Sequence, residues 1–143
     1  MARWRLRRED GASAVEMALL APLLFMLLFG IIEFGLAFLQ VQSIKTAVRE
    51  GGRAAAVGAA VADVRTKTVA ASSGAIPSAN QGNISVSYPG GSTNCNANNI
   101  GQNVTVSFPA SVLNSGQGII VAIPLLPDIH ITPDIQAEFR CEV

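Results

Sequence analysis

From Met17 to Leu39 the chain runs for 23 residues with a single charge, Glu33, and the block 17–32 carries none. As a helix, 23 residues rise about 35 Å, enough to cross a hydrocarbon core of about 30 Å. Helical spacing then continues. Val41, Ile44, Val48 and Ala55 recur at intervals of three, four and seven, with Gln40, Gln42, Lys45, Arg49, Glu50 and Arg53 on the polar side. Residues 54–62 are nearly all small, so another element can lie close against them. Gly51-Gly52 is a weak point, costing about 1 kcal/mol per glycine relative to alanine. The pattern predicts a helix over about 13–50, a break at that glycine pair, and a helical continuation to about 72.

Ser72–Gly82 is turn and linker chemistry. After it the period changes to two. Ile84, Val86 and Tyr88 alternate with Asn83, Ser85 and Ser87, and Val104, Val106 and Phe108 alternate with Asn103, Thr105 and Ser107. At the C-terminus Ile135, Ala137, Phe139, Cys141 and Val143 face one way, and Gln136, Glu138, Arg140 and Glu142 the other. Strands with one apolar face suit an antiparallel sheet packed on a helix. The expected partner is the small-residue helix 54–70. Ile119–Leu126 is an apolar patch ended by Pro124 and Pro127, and Ile129 and Ile131 add a short strand. The fold class is α+β: a long N-terminal helix followed by a small antiparallel-sheet head, pilin-like in general architecture. The expected organisation is a basic leader (1–11), a transmembrane helix (12–39), a helical extension (40–72) and an exported antiparallel β head (73–143).

Composition narrows the chemistry. Ten Lys+Arg balance ten Asp+Glu, which excludes a strongly basic nucleic-acid binder. One histidine and two cysteines are too few for a four-ligand Cys/His zinc site. His130, between two isoleucines, reads as structural. No Gly-rich phosphate loop with a lysine and no legible Ser/His/Asp set is present, so the expectation is a protein with no enzymatic activity, metal or cofactor. Asn83-Ile84-Ser85 and Asn103-Val104-Thr105 match the glycosylation pattern but read as strand residues.

Three explanations compete for the apolar run. A buried core helix needs more core than a chain of 143 residues offers. A cleaved secretory signal has a shorter apolar stretch, of about 7–15 residues, ending in small residues; here the first such run, 51–60, comes far beyond it. A membrane span remains. Arg3, Arg5, Arg7 and Arg8 precede it, and the next basic residues are Lys45, Arg49 and Arg53, which favours a cytoplasmic N-terminus and an exported C-terminus. Pro22 removes one backbone hydrogen bond within the span, a loss that membrane helices tolerate. Gly30 and Gly35 are spaced by five, which does not put them on one helix face. Glu33 lies near the outer end, where it either snorkels to headgroups or pairs within an assembly.

Glu16 opens the apolar stretch, where a carboxylate is costly and marks a function or a partner. Before it the chain reads Gly11-Ala12-Ser13-Ala14-Val15. A basic leader, a glycine, small residues and a Glu opening an apolar helix resemble a class III signal, the kind read by prepilin peptidases. The alternative is a plain membrane anchor with an interfacial Glu and an incidental glycine. The resemblance extends through Ala21-Pro22-Leu23-Leu24, Gly30-Ile31-Ile32-Glu33-Phe34-Gly35 and Ala47-Val48-Arg49-Glu50-Gly51-Gly52-Arg53. Over Gly11–Arg53 the chain resembles the TadE-like family of the tight-adherence (Flp) type IV pilus system. Met17 stands where processed pilins of that system usually carry an aromatic residue, and Ala12 where pseudopilins of type II secretion carry Phe.

The resemblance implies a minor pseudopilin-like subunit for assembly or initiation of the pilus, hence a role in cell adhesion. A prepilin peptidase would cut between Gly11 and Ala12, leaving Glu16 fifth in the mature chain. The implied partners are that peptidase, other pilin or pseudopilin subunits, the assembly machinery and membrane lipid, with no nucleic acid. The implied location is the inner membrane, crossed once, with possible extraction into a pilus. In a helical assembly Glu16 would meet the new amine of a neighbouring subunit and set axial register. The competing reading is an uncleaved inner-membrane assembly factor with an exported adaptor head. Cys95 lies in an Asn-rich loop and Cys141 on the inward face of the last strand. In an oxidising compartment they would form one disulfide pinning loop to sheet; otherwise they are two free thiols.

Overall fold

The computed structural model describes residues 8–142; Arg3, Arg5 and Arg7 of the leader and Val143 lie outside the described residues. Helix α1 (Arg8–Ala56) is 49 residues long, about 73 Å at 1.5 Å per residue, and passes through Pro22 without interruption. Its upper half is the spine of a head. There Ile44, Val48 and Ala55 are fully buried, as their spacing predicts, and Ala47 and Ala54 are buried beside them.

The break expected at Gly51-Gly52 is not there. Both glycines are helical and buried, and α1 ends five residues later. Gly58, with φ +87°, donates its N–H to Ala55 O (3.0 Å), and Ala59 donates to Ala54 O (3.1 Å). Those two bonds are a Schellman closure, which needs a left-handed residue that only glycine adopts cheaply. Gly51 and Gly52 serve close approach instead. A Cβ on Gly51 would collide with the Thr68 hydroxyl, and one on Gly52 with the Phe139 ring.

Helix α2 (Val61–Ala71) folds back against α1 through Val64 and Thr68, both fully buried. The Thr68 hydroxyl is satisfied by Val64 O at 2.8 Å. Ser72 closes α2: its Oγ donates to Val69 O (2.7 Å) and accepts from Ile76 N–H (3.1 Å). The linker then forms a short 3-10 helix, Ser78–Asn83.

The sheet comprises β1 (Ser85–Ser87), β2 (Asn103–Pro109) and β5 (Asp134–Arg140), antiparallel in the order β1-β2-β5. Val86 pairs with Val106, and Val106 with Ala137. Val104, Val106 and Phe108 of the central strand are fully buried, as the alternation predicts. A separate hairpin pairs β3 (Ile119–Val121) with β4 (Ile129–Ile131). The architecture is the α+β, pilin-like arrangement of a long helix and a small antiparallel head.

The sheet's partner helix differs from the expectation. β2 and β5 pack on α1 itself, and the 54–70 stretch divides between the end of α1, the corner and α2. The physical reason is length: α1 continues to Ala56, so its own apolar seam is what the inward strand faces meet. Arg65 donates Nε–H to Ile84 O at 2.9 Å and ties α2 to the chain entering β1.

Tyr88 ties the same region from above. It is buried, and its hydroxyl donates to Ala59 O in the corner between the helices. Burial raises its phenol pKa above the usual 10. The fold therefore favours the neutral phenol. That contribution is complete below pH 10 and is lost as pH rises through the higher folded value. Tyr88→Phe should cost about 1 kcal/mol at pH 8 and flatten the alkaline loss, measured as urea midpoints at pH 8 and above 10. As the chain's one tyrosine, Tyr88 can be titrated directly by absorbance. A variant that loses stability with alkali as steeply as the parent would reject this role.

Candidate assembly segment

The lower half of α1 stands apart from the head. Its most hydrophobic 18-residue window has a mean hydropathy of 2.4 and no residue buried. Large apolar side chains are exposed along the whole stretch, from Leu19 at 74% to Leu39 at 62%. The core-helix reading is thereby excluded: nothing in the described residues covers this surface. In water each Å² of it costs roughly 25 cal/mol, so the segment requires lipid or partner helices around it. The helix is long and apolar enough to cross a membrane, and a helix bonds its backbone groups internally, apart from the one bond lost at Pro22.

The residues singled out from the sequence sit at the start of this rod. Gly11, Ala12 and Glu16 are all exposed and all within α1. A Cβ at Gly11 would meet nothing within 4 Å, so a partner could approach its backbone unhindered. Ala12 and Glu16 are four apart and share a face. Glu33, half-buried, lies nearly five turns further along. The ion pair among the described residues is Arg53 with Glu50, at 4.0 Å on the surface; neither Glu16 nor Glu33 takes part in one. Met17, Leu20, Leu24 and Leu27 recur at spacings of three and four and, with Leu23, line an apolar groove along the helix. That is the spacing of a helix-packing seam.

At the opposite end Cys95 and Cys141 form a disulfide, with Cα atoms 5.4 Å apart and a sequence separation of 46. Asn99 organises the loop around it. Its buried side-chain amide donates to Ser92 Oγ (2.8 Å) and Asn94 O (3.1 Å) and accepts from Asn96 N–H (2.7 Å). Cys141 extends the sheet beyond β5, donating to Gln102 O and accepting from Gly101 N–H, both at 2.9 Å. Glu142 N–H then caps Ala56 O at the end of α1 (3.0 Å). The disulfide thus locks the loop, the last strand and the top of the spine together. The Asn99 hub escapes sequence reasoning, because four asparagines in a polar run do not say which one turns inward.

His130 is exposed on β4, its Nδ1 3.2 Å from Gln117 O across the hairpin. Among the described residues no group of three His, Cys, Asp or Glu side chains is placed to hold a metal.

No curated protein and no solved structure matches the chain significantly. The protein-family comparison does match, from the glycine that opens the rod to the arginine beside the buried glycine pair: residues 11–53 are similar to the TadE-like protein family.

Proposed function

We propose that this chain is a minor pseudopilin-like subunit that helps assemble or initiate a tight-adherence type IV pilus, and that it acts as a structural part rather than as an enzyme. One observation carries the reading: the TadE-like segment contains the apolar rod that the head leaves bare. The arginine leader stays in the cytoplasm and the head is exported. The disulfide supports that direction, since such bonds persist in oxidising compartments. Prepilin peptidase cuts after Gly11. The amine freed on Ala12 and the carboxylate of a neighbour's Glu16 then pair near lipid, relieving each other's burial penalty and setting register.

Glu16→Ala should leave the chain inserted in the inner membrane but abolish its co-purification with pilin. Normal assembly of that variant would reject the docking role, and a cleavage assay on the same variant separates docking from peptidase recognition. An uncleaved membrane-anchored assembly factor is the second reading. It is favoured by α1 passing unbroken through the Gly11–Ala12 bond. The mature N-terminal residue decides between them: Ala12 for the first, Met1 or Ala2 for the second.

A further inference from the structure

We propose that the tip of the β3–β4 hairpin, Pro124-Leu125-Leu126-Pro127, seats in the interface of the lipid bilayer beside α1, so that the head meets the membrane at two points. The inference rests on the reading that α1 spans the membrane.

The tip is built against ordinary turn chemistry. Leu126 N–H donates to Ile123 O at 3.1 Å, closing a four-residue turn with Pro124 second and Leu125 third. Leu125 has φ +69°, the backbone of a position that glycine or asparagine normally fills. It is also 91% exposed, and Leu126 beside it is 49% exposed. A leucine there is disfavoured by both backbone and water and gains no contact inside the fold. No charge occurs from Leu113 to Pro127, so the tip has no polar side chain suited to a charged ligand.

Position along α1 says what covers it. β5 climbs the helix. Its first residues, Asp134 and Ile135, line a cleft with Val41 and Lys45; Phe139 abuts Gly52; Glu142 reaches Ala56. The lower edge of the head is therefore the start of β5, and β4 enters β5 there through Thr132-Pro133. β3 packs on α1 as well, and Ala37 is buried although it lies a turn below Val41 and within the apolar stretch. Leu36, Phe38 and Leu39 around Ala37 stay exposed, so the head overlaps one face of the last turn of the span. Joined to this edge, the hairpin is in reach of the acyl–headgroup boundary, the proposed seat of its tip, where apolar side chains bury about 5–10 Å deep. Lys45, exposed about 9 Å above Leu39, is at phosphate height.

The full chain, with Trp4→Phe to remove the native indole, would carry Leu125→Trp or, separately, Leu126→Trp. Ile100→Trp is the control: it is 58% exposed in the loop beside Cys141, at the far end of the head. Each is reconstituted in phosphatidylethanolamine–phosphatidylglycerol vesicles with and without lipids brominated near the top of the acyl chains, and floated on a density gradient. The expected result is flotation of all three, a blue-shifted emission and loss of roughly half the signal to bromine at 125 and 126, with little at 100. Chains that float while both tip variants match the control overturn the tip contact and leave the span standing, a result that would also fit a protein neighbour at the tip. Chains that fail to float overturn the span and the tip together.

Discussion

Cys141→Ser should destabilise the head by about 2–5 kcal/mol, the largest effect expected of any single substitution outside the apolar rod. Loop closure over 46 residues corresponds to about 4 kcal/mol in the chain-entropy model. A loss of 3 kcal/mol in a domain of this size lowers the melting temperature by roughly 10–25 °C. The damage should be local first. Without the bond, the loop held by Asn99 and the ladder from Gln102 to Cys141 lose their tie to the end of α1, so amide exchange should rise at Gly101, Cys141 and Glu142. Cys95→Ser and chemical reduction of the parent should give the same shift. Melting curves that coincide with and without reductant would show that the bond contributes nothing, and would remove one support for an exported head.

Gly51→Leu should cost about 1–3 kcal/mol or more, by forcing α2 away from α1. The obstacle is not a flexible side-chain end. Thr68 is fully buried, its hydroxyl is bonded to Val64 O, and Val64 is itself buried in the same contact. Moving it exposes Val64 and uncouples the Arg65 tie to Ile84. The gain in helix propensity, about 1 kcal/mol, offsets only part of this. Gly35→Leu is the matched control: a side chain there meets nothing within 4 Å, so the head should melt as in the parent. If thermal unfolding showed equal melting temperatures for the two variants, α2 would not be packed against Gly51.

These two cases mark where local pattern stops being informative. In the sequence alone the two cysteines fit either a disulfide or free thiols. Cys141 falls on the inward face of a period-two strand, but only folding brings residue 95 to within 5.4 Å of it. The glycine pair looks like a break for a related reason. Glycine lowers helix propensity wherever it stands, and propensity cannot distinguish a helix end from a helix contact. Gly58 ends α1 because its φ is +87°, whereas Gly51 and Gly52 are there because α2 and Phe139 need the space. Small residues at 54–62 look like a docking face for the sheet, while the face used is the seam of Ile44, Val48 and Ala55.

Order along the chain was enough to determine the apolar rod, the acidic residue that opens it, the three alternating strands and their inward faces. Each of these is a local consequence of side-chain polarity at a helical or strand period, and polarity is written residue by residue. The tertiary structure alone decided where the rod leaves the head, which asparagine is buried, which glycines are contacts, and that an exposed leucine turn belongs to the hairpin that packs on α1. Those depend on which surfaces meet, and surfaces far apart in sequence meet only when the whole chain has buried its apolar area at once.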